Sequence, residues 1–464
     1  MRILLLLVGS WLSAVGGAHA EERREVGSPP PPSETGDGFS FGSYGRVGVG
    51  IDGNGHEGYA TNVVSHGSRL EEAPYIELDL YYGGHLGDGR WRVVVAPAFG
   101  GDLFHYNGTF ASRFALRNAY AEAVDFGVKG LRFWAGSRMY RGDDVYLFDY
   151  WPLDNLNTVG AGAGLSRGHW EAAVHGGLNL LNDPFQYQTI AVPARGLGPP
   201  GQAVTLDRPR GIVSLKLTRF FGPAGVQWGA KASLYGELHI LPSGTEQFPT
   251  QMNRTQELPS DYGWVVGGQL GGWLRPYTFL NLFIKAAGGL AAYGDLTDPT
   301  SLDTNRKTTS ARELVAALSA NWESHYAGIM LGAYLRNFTD ANAIPENPAD
   351  YVEGIVATRP HLYLTNWFHV AVELSYQTRQ YGGFDPLANR RLTPQVFRAS
   401  LMPIISPTGR GTYSRPQIYL VGTVSRLNDD ARIALFDPND VRYGASTVMY
   451  LGVGAEWWFQ SSYR

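Results

Sequence analysis

Aromatic rings and forked ionic groups recur at alternate positions along this chain. In Tyr75-Ile76-Glu77-Leu78-Asp79-Leu80 the odd positions are polar and the even ones aliphatic. On an extended strand, residues two apart share a face, so Tyr75, Glu77 and Asp79 stand together. The same rule sets Tyr44 and Arg46 against Val47, Val49 and Ile51. It sets Arg132, Trp134, Arg138 and Tyr140 against Leu131, Phe133, Ala135 and Met139, and Tyr450, Glu456 and Trp458 against Leu451, Val453, Ala455, Trp457 and Phe459. A ring face attracts the C–H face of a pyranose through dispersion and its quadrupole. Arg, Asp, Glu and Tyr bond the hydroxyl rim, more strongly when charged. Weak contacts of this kind, repeated along a path, let a solute enter and leave. The same residues also read as aromatic girdles and as charges that wet a channel; spacing alone leaves both readings open.

The elements that carry these residues alternate apolar and polar positions in eighteen segments, from 39–51 to 444–459. The sixth is expected at 160–166, the eleventh at 276–292 and the seventeenth at 414–427. Links after even-numbered segments are short, such as Arg167-Gly168 and Leu274-Arg275; only Ser406 to Tyr413 is longer. Links after odd-numbered segments are long, such as 52–72, 142–159 and 179–208. An even strand count with short turns on one side and long loops on the other is the pattern of a bacterial transmembrane barrel. The fold class expected is all-β, an 18-stranded antiparallel transmembrane barrel with short periplasmic turns and long extracellular loops. The outward alternate positions would meet outer-membrane lipid.

The start of the chain and its composition fit. Residues 1–20 read as a signal peptide: Arg2, an apolar run from Ile3, and Ala18-His19-Ala20 as the cleavage site. Residues 21–38 form a Pro-rich lead-in containing Pro29 to Pro32, and 39–464 form the barrel. Charged residues are only 17%, below the soluble norm of about 25%. The chain has 59 Gly, 12 Trp, 26 Tyr and 21 Phe, which suits glycine-rich strands with aromatic girdles. The formal charge of −4 gives no basic footprint for nucleic acid. Cysteine is absent. No GxSxG elbow or HExxH motif is present. The calcium-loop-like stretch at Asp52 has too few carboxylates and no Glu at the closing position, and no cofactor or metal is expected. Glu71-Glu72 and Asp143-Asp144 are carboxylate pairs, but neighbours on a strand point to opposite faces, so neither makes a two-carboxylate site by itself. An enzyme is not expected. His361 and His369 alternate with apolar neighbours and read as lumen or rim residues.

Three blocks resemble the maltoporin (LamB-type) sugar porins: Phe41 to Gly50, Trp134 to Leu165, and Ser414-Arg415-Pro416 with Gly452 to Phe459. The resemblance implies a homotrimer of 18-stranded barrels in the bacterial outer membrane, passing sugars such as maltodextrins by facilitated diffusion. It implies that the third extracellular loop, 142–159, folds into the pore. It places Tyr44, Tyr75 and Trp458 on an aromatic slide, with Phe110 near a slide position and Trp151 at the constriction. It places Arg46, Arg69, Glu77, Arg117, Asp144 and Asp149 on a polar track. The chain departs from that pattern at Gly142, where the family has a track arginine and Arg141 is the nearest substitute. Val266 stands for a slide phenylalanine, and a slide tryptophan is missing near Glu353-Gly354. These departures imply a thinner slide and a different or smaller sugar. A general or anion-preferring porin is the alternative.

Overall fold

The computed structural model describes residues 37–101, 112–192, 201–222, 228–248, 254–275, 277–386 and 388–461. The expected signal peptide, most of the Pro-rich segment and Phe110 lie outside them. Among the described residues eighteen strands form one sheet. They are β1 (Gly38–Asp52), β2 (Tyr75–Leu86), β3 (Gly89–Gly101), β4 (Ser112–Val124), β5 (Leu131–Arg141) and β6 (Asn155–Arg167). Next come β7 (Trp170–Asn179), β8 (Arg210–Phe221), β9 (Gly229–Leu241), β10 (Asp261–Arg275), β11 (Thr278–Gly289) and β12 (Arg312–Glu323). The last six are β13 (Ala327–Thr339), β14 (Tyr351–Tyr363), β15 (Phe368–Tyr381), β16 (Gln395–Ile405), β17 (Gln417–Leu427) and β18 (Thr447–Phe459). Each pairs antiparallel with the next. β1 closes the ring on β18 from Ser43 opposite Phe459 to Asp52 opposite Tyr450.

The burial pattern is that of a soluble core turned inside out. Leu78, Leu80, Val213, Leu215, Leu282, Ile284, Leu451 and Val453 are exposed on the outer wall. Glu77, Asp79, Ser214, Gln269, Asn281, Glu353, Glu373 and Gln377 are buried inside. Apolar area so extensive and continuous belongs against lipid, whereas buried polar groups are tolerable only when bonded to one another. No helix among the described residues is long and apolar enough to cross a membrane. The strands are the spans.

Among the boundaries that differ from the sequence expectation, three bear on the lumen. β6 begins at Asn155, not 160, so loop 3 is shorter. β11 ends at Gly289, followed by a 3-10 turn over Leu290–Tyr293. β17 begins at Gln417, which frees Ser414, Arg415 and Pro416 from the strand. Some long loops carry structure of their own, including a hairpin of Tyr187–Val192 with Gly201–Asp207 and a short helix over Asp429–Leu435 capped by Asn428. The glycine run in β6 has a packing role. A Cβ at Gly162 would lie 2.2 Å from the indole of Trp134, so the glycine is the shelf on which this inward ring rests.

Candidate pore constriction

Loop 3 leaves β5 at Gly142 and crosses the lumen. Its tip, Tyr146–Phe148, is a buried 3-10 turn. Near its root Asp143 pairs with Lys231 of β9 at 2.7 Å and accepts a hydrogen bond from Gln269 of β10. At the return, Asp154 pairs with Lys216 of β8 at 2.8 Å. Phe148 meets Tyr334 of β13 edge-on, with ring centroids 6.0 Å apart. Tyr146 donates to Glu456 Oε2 of β18 at 2.6 Å. The loop is thus tied to five strands besides its own, on several sides of the barrel.

The residues singled out in the sequence converge on this loop. Trp151 packs with buried Tyr44, and Tyr75 and Trp458 lie against the pair. Tyr44 and Tyr75 have ring centroids 6.1 Å apart. Arg46 spans Asp149 at 3.7 Å, Glu72 at 3.1 Å and the Tyr75 ring at 5.3 Å. Arg117 pairs with Glu77 at 3.0 Å and donates to Tyr75 Oη at 2.6 Å. Tyr75 Oη in turn donates to Glu77. Arg69 reaches Glu72 at 3.1 Å, Glu456 at 3.4 Å and Asp149 at 3.9 Å. Asp144 is buried in the same loop.

Gly142 and Arg141 have a geometric explanation. A Cβ at Gly142 would fall on the Asp154 carboxylate, so no side chain fits there. Arg141, at the end of β5, instead lays its guanidinium 3.7 Å from the Trp151 ring centroid. Val266 corrects the reading of β10 as a depleted part of the slide. It points outward and is exposed; the inward residues there are Val265, Gly267 and Gln269. At the inward position next to it, the missing side chain of Gly267 makes room for Leu153 of loop 3. His361 and His369 are buried and face inward. The carboxylate pairs are divided among separate partners. Glu71 goes to Arg398, Glu72 to Arg46 and Arg69, and Asp143 to Lys231, so neither pair is a two-carboxylate site.

Two segments besides loop 3 also enter the lumen. Loop 1, residues 53–74, lies along β13 to β17. Ser65 N donates to Glu353 at 3.0 Å, Val63 N to Gln377 at 2.9 Å, and Arg398 Nη1 to Asn62 at 2.8 Å. The turn after β16 comes from the opposite side. Tyr413 stacks on Tyr277 at 5.9 Å and tilts against Tyr146 at 5.4 Å. Arg415 bonds Glu456 at 2.9 Å, donates to Tyr146 Oη, and covers the Trp458 ring at 4.2 Å. Its unusual length was the available signal. Glu456 is therefore where loop 1, loop 3, this turn and the wall meet.

Loop 1 also carries a titratable contact. His66 stacks on Tyr150 at 4.1 Å. Burial, then the nearby Arg336, holds its imidazole down from 6.5 to about 4. Glu353 favours the charged form less strongly than these oppose it, followed by Lys285, which opposes it, and Glu313, which favours it. The docked loop therefore resists a proton that the undocked loop accepts. Its contribution to docking is complete above 6.5 and is lost as pH falls toward 4. Lowering the pH from about 7 to about 4.5 should increase open-channel current noise. His66→Phe, which keeps the stack and cannot titrate, should remove that pH dependence.

A closed barrel with a polar lumen, an apolar outer wall and inward-folded loops is a porin of the bacterial outer membrane, a channel rather than an enzyme by fold. The LamB porin family model matches residues 39–459, and the chain belongs to that family. A maltoporin of Vibrio cholerae serotype O1 is 30% identical over 138 residues, 29% of this chain and 33% of the relative; the match thus spans about a third of that protein. Among solved structures, the outer membrane channel DcaP of Acinetobacter baumannii aligns over 91% of this chain and 98% of its own, at 11% identity and a TM-score of 0.47. OccAB1 of Acinetobacter baumannii aligns over 91% and 96%, at 8% identity and 0.43. The trimer form of OmpT of Vibrio cholerae aligns over 91% and 100%, at 11% identity and 0.40.

Proposed function

We propose that this chain is a sugar-selective channel, passing maltodextrin-like or smaller sugars by energy-independent diffusion along the aromatic and ionic lining of its constriction. The observation that supports it most is the meeting of Tyr44, Tyr75, Trp151 and Trp458 with Arg46, Arg69, Arg117 and Glu77 in one narrow section. Rings next to charged hydrogen-bonding groups match a pyranose, apolar on its faces and hydroxylated on its rim. Trp151 packs against Tyr44 and so shortens the stacking path, which favours small sugars. The homotrimer rests on the family resemblance, and the exposed apolar wall supplies the surface for lipid.

The test is planar-bilayer conductance of the whole protein with a sugar panel. Maltose-series sugars at millimolar concentration should block the current, and the channel should close in three steps. Trp151→Ala should raise conductance and strengthen block by the longer members, because it uncovers Tyr44. Permeation that scales only with solute size and charge, without block by any sugar, would mean a general or anion-preferring porin instead.

A further inference from the structure

A second cluster lies nearer the periplasmic turns, on the sector formed by β3 to β7. Glu122 is buried in β4, three residues before the turn at Asp125. Three guanidiniums surround it: Arg92 at 2.6 Å, Arg138 at 3.2 Å and Arg132 at 3.9 Å. Among the described residues, Glu122 is the carboxylate with which each of the three makes its ion pair. Nearby Asp125 is paired with Arg90 at 3.5 Å. Three cations against one anion leave a local excess of two positive charges.

The three arginines are not equally committed. The Arg138 side chain is 13% exposed and wedged against the rings of Tyr120, Trp134 and Tyr140, at 4.7, 4.8 and 5.4 Å. Arg92 is 28% exposed; its Nε and Nη2 both bond Glu122 Oε2, at 2.7 and 2.6 Å, so the edge it turns to a solute is the one that carries Nη1, while Arg132 is 37% exposed. Arg132 has the longest contact to Glu122 and its guanidinium lies 5.6 Å from the Trp134 ring centroid. Behind them Trp134, Tyr140 and His175 lie together with nearly parallel ring planes, at interplanar angles of 12°, 8° and 6°. Trp134 Nε1 donates to His175 at 3.1 Å, and the other ring nitrogen of His175 bonds Thr158 at 2.6 Å. The aromatic wall is therefore fixed, and the two outer guanidiniums face the lumen from it.

From this arrangement we propose that Arg92 and Arg132 form a binding station for the carboxylate of an acidic sugar, below the constriction and separate from it. A guanidinium fork matches a carboxylate in plane and spacing, and the unneutralised charge supplies the attraction. Glu122 and Arg138 hold the station in place and do not touch the solute. The sugar part of the proposal rests on the sugar-channel reading; the anion part does not.

The test uses the whole protein in planar bilayers, with D-glucuronate and D-glucose as blockers and a KCl gradient for ion selectivity. The variants are Arg92→Gln, Arg132→Gln and the pair together, each first checked for heat-modifiable migration of the folded barrel. In the double variant the half-blocking concentration of glucuronate should rise at least about tenfold, since one charge-assisted hydrogen bond alone accounts for that much and two guanidiniums are removed. That of glucose should stay constant, and the chloride-to-potassium permeability ratio should fall. Unchanged glucuronate block, or an equal loss for glucose, overturns the station. If neither sugar blocks the wild type, the sugar reading fails. The anion site then stands if the reversal potential shifts in the double variant and falls if it does not.

Discussion

Glu456→Ala should raise single-channel conductance severalfold and turn a quiet open state into a noisy one. The Glu456 carboxylate receives Tyr146 Oη at 2.6 Å, Arg415 at 2.8–2.9 Å, and Arg69 at 3.4 Å. Tyr44 Oη is 3.4 Å away as a further donor. Each donor belongs to a different segment: loop 3, the turn after β16, loop 1 and β1. Removing the carboxylate leaves Arg69 and Arg415, both buried, facing one another across the vacated position. Breaking a buried ion pair on one side typically costs about 3–5 kcal/mol. The barrel itself does not depend on this group, because β18 keeps its backbone ladders to β1 and β17. The cost therefore falls on the docked segments, which can move away. Glu456→Gln retains an acceptor but not the charge, and should give an intermediate conductance. A wild-type conductance in Glu456→Ala would mean that the pairs Asp143–Lys231 and Asp154–Lys216 hold loop 3 unaided.

Much of this was legible in the sequence, for a definite physical reason. A barrel strand sorts its side chains with period two between lipid and lumen, so the alternation that places Leu78 and Leu80 outside also places Glu77 and Asp79 inside. The strand count and the parity of the links come from the same signal. Loop geometry has no such period. Nothing in 53–74 announced that its backbone would be held by Glu353 and Gln377, residues some 300 positions away. Gly142 and Val266 show the limit of matching by position. One is empty because the Asp154 carboxylate fills the space, and the other faces outward because strand alternation puts its neighbour Gly267 on the lumen face, against Leu153. Glu456 was placed on the lumen face by alternation, but its role as a common partner needed the positions of three loops. The arginine cluster on Glu122 was half visible: Arg132 and Arg138 were read as inward, while Arg92 and Glu122 were not singled out.

Replacing residues 407–416 by a two-residue Asn-Gly turn, which continues the register of Ile405 opposite Ile418, should open the periplasmic mouth and raise conductance by more than Tyr413→Ala alone. Asn-Gly is the favoured connection for two antiparallel strands at close spacing, so the shortened link suits the β16–β17 hairpin. The native turn is not a plain connection. It extends from β16 and β17 to the far-side strands β10 to β12, where Tyr413 stacks on Tyr277 and Thr412 bonds Glu323 and Asn321. Beneath the constriction, Tyr413 and Arg415 support Tyr146 and Trp458. Tyr413→Ala removes one ring from this contact but leaves Arg415 on Glu456. Shortening the turn removes both, so loop 3 loses its support from below while the extracellular anchors remain. The difference should appear as an asymmetry. A blocking sugar added on the periplasmic side should gain more in association rate than one added on the extracellular side, since only the former path is cleared. Equal gains from both sides would place the limiting barrier at loop 3 itself. An unchanged conductance would show that the turn does not obstruct the mouth at all.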